Sequence, residues 1–83
     1  MAYAYTSAIL EELAAHGLAP TSRTPPGAVR DALRDLYKYE IRALKGRLLA
    51  GEFPKPEYAR RVIQLRRKYP LLSVPLELWV LRG

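Results

Sequence analysis

From Pro26 onward the chain reads "PGAVRDALRDLYKYEIRALKGRLLAG", and no proline interrupts it after its first residue. Proline is tolerated only in the first turn of a helix, where its missing N–H is not needed. Gly51 supplies a stop of the left-handed kind, and Phe53 and Pro54 follow it. One helix over Pro26–Ala50 follows from these signals, long for a chain of 83 residues. It is the expected spine, and the rest of the chain must arrange itself around it.

The remaining punctuation predicts an all-α fold of three helices with an apolar C-terminal tail. A first helix is expected over Ser7–His16, with Thr6 or Ser7 as N-cap and Gly17 after its last turn. Leu18 is placed to fold back on Leu13. The run "APTSRTPPG" is a connector, too rich in proline and small polar residues for regular structure. A third helix is expected from Pro56 to Lys68, closed by Tyr69–Pro70, because a residue before proline is pushed out of the helical region. In the tail, residues 71–83, Ser73 can cap a short fourth helix over Val74–Trp79, and an extended segment is the alternative. At this length, one domain over residues 1–83 is expected.

An α-helix advances about 100° per residue, so each face can be read directly. On the spine, with Val29 at zero, Ala32, Leu33, Leu36, Tyr37, Tyr39, Ala43 and Leu44 span about 280° through 80°. Ile41 and Leu48 widen this arc to nearly 120°. So broad an apolar face suits a central helix packed on two sides. Glu40 and Arg47 fall in its middle, where a buried carboxylate is costly without a partner. They are the candidate buried polar or ligand-binding residues. Arg47, an arginine of the third helix, Tyr58 and Tyr69 are the candidate partners of Glu40. An interhelical pair, a contact across a dimer axis and a ligand site are the three roles open to it. The opposite face, from Arg30 through Lys45, mixes its signs as a solvated face does. Gly46 is the one glycine deep inside a helix, which close helix approach or a local weak point would explain.

The third helix carries "YARRVIQLRRKYP". Arg60, Arg61, Arg67 and Lys68 fall within about 120° of one another, opposite Tyr58, Val62, Leu65 and Tyr69, with Arg66 at the border. No acid lies between Glu57 and Glu77 to pair with them. Like charges along one side repel, so this ribbon is either a solvated outer face or a surface whose partner brings the anions. Arg60, Arg61, Arg66, Arg67 and Lys68 are thus the candidate contacts to phosphate or to an acidic protein surface.

The net charge of +6 falls unevenly, at −1 over residues 1–27, +3 over 28–51 and +4 over 52–83. There is no cysteine and one histidine, which removes disulfides, thiolate sites and the usual zinc sets. His16 sits where a helix ends and reads as structural. No phosphate loop, dinucleotide fingerprint or nucleophile–base pair is present, so neither a cofactor nor catalysis is expected. The N-terminal run has no basic leader, and no apolar stretch reaches membrane-spanning length, so a cytoplasmic protein without a membrane partner is expected. Hydrophobic residues make up 49% of the chain, more than so short a domain can bury alone. The expectation is a small, basic, non-catalytic interaction domain, a homodimeric subunit or adaptor, with phosphate-backbone binding to nucleic acid as the alternative.

Overall fold

The computed structural model describes residues 2–81. Three α-helices follow in order: α1, Ser7–Ala14; α2, Pro26–Leu49; and α3, Tyr58–Arg66. Short 3₁₀ turns occupy Lys55–Glu57, Pro70–Ser73 and Leu76–Leu78. The all-α arrangement built on a long central helix is therefore present.

The ends of the helices follow the local chemistry. Thr6 caps α1, its hydroxyl accepting from the Ile9 amide at 3.3 Å. Gly17 takes φ 76°, and the Leu18 amide donates back to the Leu13 carbonyl at 2.9 Å. Gly51 closes α2 in the same way at φ 75°, with the Glu52 amide donating to the Arg47 carbonyl at 3.0 Å. The third helix is shorter than its pattern suggests. Its entry is the 3₁₀ turn Lys55–Glu57, and it ends at Arg66, which leaves Arg67 as C-cap and Lys68 in the following turn. Tyr69–Pro70 thus acts on the backbone two residues upstream.

The tail corrects the expectation of a helix over Val74–Trp79. Val74 and Pro75 are extended, and only Leu76–Leu78 turns, as a single 3₁₀ turn. Tyr5 and Val80 then form an isolated antiparallel bridge. It is flanked by hydrogen bonds from Thr6 N to Trp79 O at 3.2 Å and from Leu81 N to Ala4 O at 2.8 Å. Trp79 is fully buried, as are Leu13 and Leu33, and its indole N–H donates to the Val74 carbonyl at 3.1 Å. Leu71 is also buried, whereas Leu78 and Leu81 remain exposed. Arg82 and Gly83 lie outside the described residues.

The molecule is a rod. Its Cα extents are 51 × 16 × 16 Å and its radius of gyration is 15.4 Å, against about 12 Å for a compact chain of this length. The cause is α2, whose 24 residues run for about 36 Å with too little chain to wrap them. A single thin core runs along one side, from Ile9, Leu13 and Trp79 through Val29, Leu33 and Leu44 to Phe53 and Leu65. Accessible surface totals 6033 Å², where a compact monomer of this mass exposes about 5,000 Å².

Candidate functional site

The rod shape splits the broad apolar arc of α2 in two. The half from about 0° to 120° on the wheel is covered, with Val29, Leu33 and Leu44 buried and Tyr37, Ile41 and Leu48 half-buried. The other half is bare. Leu36 is 38% exposed and Tyr39 72% exposed, and Ala43, Gly46 and Ala50 are exposed beside them. The expectation that α2 is packed on two sides is thereby corrected, because α1, α3 and the tail are together too short to reach its second flank. Gly46 lies on this bare flank, and a Cβ placed there would meet nothing within 4 Å. Within one chain nothing requires glycine there, although glycine in mid-helix costs about 0.5–1 kcal/mol relative to alanine.

Along one edge of the bare flank, α2 and α3 enclose a groove of about 350 Å³. Tyr39, Glu40, Ala43, Leu44 and Arg47 form its α2 wall, and Arg61, Gln64, Leu65 and Lys68 face them. The two groups of residues singled out from the sequence, the polar pair of α2 and part of the basic ribbon, therefore meet in one cleft. They do not meet as expected, however. Arg47 is not buried: it is about half exposed and pairs with Glu52 at 3.4 Å. No charged side chain is fully buried among the described residues. On the wheel Arg47 is central, but it lies near the end of α2, where the core has thinned to Leu44 and Phe53. Arg30, assigned to the solvated face, is instead half-buried, with its Nε shielded and without a hydrogen-bond partner.

Glu40 is half-buried and accepts a hydrogen bond from the Tyr69 hydroxyl, one of the partners its chemistry calls for. Tyr69 is itself buried, stacked on His16 at 4.4 Å between centroids and edge-on to Tyr37 at 5.3 Å. Burial pushes the Tyr69 phenol up to about 12, helped by the hydrogen bond to Glu40 and by its charge. A phenol held so high donates its proton to Glu40 and does not act as a base near neutrality. The contact ties α2 to the segment after α3. The stacking role of His16 had no signal in the sequence, because it depends on where residue 69 arrives.

The basic ribbon is divided. Arg60 and Arg67 face solvent. Arg61 folds inward, its guanidinium 4.2 Å from the centroid of the buried Phe53 ring and 3.3 Å from the Glu57 carboxylate. Lys68 lines the groove, and Arg66 borders a second cleft of about 280 Å³ with Tyr37, Tyr69, Leu72 and Ser73. Among the described residues, Arg60, Arg66, Arg67 and Lys68 have no carboxylate partner, whereas Arg61 has one. Phe53 explains Arg61: the chain turns back after Gly51 and offers a ring beneath the guanidinium.

No group of three or more acidic, histidine or cysteine side chains that could hold a metal occurs among the described residues. Among the same residues, no helix is long and apolar enough to cross a membrane. No protein-family model, no curated protein and no solved structure matches this chain.

Proposed function

We propose that this chain is a non-catalytic interaction domain whose first partner is a second copy of itself. The observation that carries this reading is the bare flank of α2, where Leu36, Tyr39, Ala43 and Ala50 face solvent on a rod that exposes about 1,000 Å² more than a compact monomer would. A stable dimer interface covers about 800 Å² on each partner, so one such contact absorbs the excess. Sedimentation equilibrium at tens of micromolar is expected to give twice the monomer mass. A monomer at that concentration would remove the reading.

A second reading rests on a different observation. Arg60, Arg66, Arg67 and Lys68 have no carboxylate partner among the described residues of a chain with net charge +6. They suit a polyanion such as a nucleic-acid backbone, bound through phosphates. Four neutralised phosphates would make affinity for duplex DNA or structured RNA fall about a hundredfold between roughly 50 and 200 mM salt. Replacing Arg60 and Arg67 with alanine should lower the slope by about two. Absence of binding at the lower salt concentration would end this second reading and leave the first standing.

A further inference from the structure

Ala32, Leu36, Tyr39, Ala43, Gly46 and Ala50 recur along α2 at alternating steps of four and three residues. That is the heptad spacing by which one helix lays a continuous seam against another. Four of the six are alanine or glycine and two are large, and the large pair lies on the N-terminal side of the seam's midpoint while Ala43, Gly46 and Ala50 lie on the other. A parallel pair would set Tyr39 against Tyr39 and leave the alanines and the glycine facing one another across a void. An antiparallel pair sets large against small at the two inner levels and alanine against alanine at the outer one.

We propose that the bare flank of α2 docks against the same flank of a second copy in antiparallel register. Tyr39 packs on the partner's Ala43, Leu36 enters the gap above the partner's Gly46, and Ala32 meets the partner's Ala50. The inference rests on the self-association reading and adds its geometry. Gly46 is the independent sign, since its own chain gives it no neighbour and a second helix close by is what a missing side chain admits. Charge does not set this register: on one edge the two Glu40 side chains come nearly level and, half-buried beside their own Tyr69, keep to their own chain. On the other edge the two Arg42 side chains come level and splay into water. Tyr39 and Ala43 line the groove beside α3 as well, so docking roofs that groove along its α2 wall.

Two measurements decide this on the full chain. Gly46→Leu fills the gap meant for the partner's Leu36 without touching its own chain. It should keep its helical ellipticity and fail to dimerise at concentrations where the unmodified chain does. Tyr39→Ser, at an exposed site, should lose at least tenfold in dimer affinity while its folding stays intact. For orientation, the chain has no cysteine, so Asp31→Cys gives a single nitroxide site on the exposed side away from the seam. Antiparallel pairing sets the two labels about 30 Å apart along the axis, since each lies ten residues from the centre of the contact. A parallel pair sets them level. A dimer with level labels, or one that survives both substitutions, overturns the register and leaves self-association in place. A monomeric unmodified chain overturns both.

Discussion

Replacing Trp79 with alanine should strip the molecule of a large part of its stability. The side chain is fully buried, and the backbone around it holds Thr6 and, through Val80, Tyr5. Truncation of a buried tryptophan costs about 3–5 kcal/mol. The whole stability of a domain this size is about 4–12 kcal/mol, so the loss takes about a quarter of it or more. A drop in melting temperature of roughly 15–30 °C is expected, or disappearance of the cooperative transition, read by ellipticity. Leu78→Ala, one residue away and 62% exposed, should change stability by no more than about 0.5 kcal/mol. If the two substitutions behave alike, the tail is not packed as described.

Tyr69→Phe removes a single oxygen and should cost about 1.5 kcal/mol near neutral pH, the lower end for a hydrogen bond to a charged group, since Glu40 is only half-buried and can turn to water. The same contact carries a pH signature. The Tyr69 phenol is pushed up to about 12 in the folded chain, whereas an unfolded tyrosine titrates near 10. Between these values the unfolded chain has released a proton that the folded chain still holds. The stabilisation is therefore complete below about pH 10 and is lost as pH climbs towards about 12. Urea midpoints of the parent and the Phe variant should differ clearly at about pH 8 and converge by about pH 11. A gap that stays constant over this range would mean that the Tyr69 proton is not what Glu40 holds.

The start of α2 and the stops at Gly17 and Gly51 were legible because each has a local cause, whereas α3 begins and ends two residues inside the expected Pro56–Lys68. Pro26, Gly17 and Gly51 act on their own turn whatever the rest of the chain does. The tail was not legible, since Pro70 and Pro75 leave four residues between them and eight after, too few for a helical period to repeat in the pattern. The apolar arc of α2 was legible as an arc. Which half of it finds cover depends on how far α1, α3 and the tail can reach, and no periodicity encodes that. The same holds for the candidate site. The need of Glu40 for a partner followed from chemistry, with Tyr69 among the options. The turning of Arg61 away from the ribbon depended on Phe53, eight positions earlier, coming round beneath it.

The stitching of Tyr5 and Thr6 to Trp79 and Val80 has a consequence for how the molecule is born. A nascent chain leaves the ribosome from its amino end, so the greasy side of α1 is finished long before the indole it settles beside exists. The α1 segment must wait, uncovered, for a tryptophan made 65 residues after it ends. During that interval α1 is the stretch most in need of a chaperone's shelter.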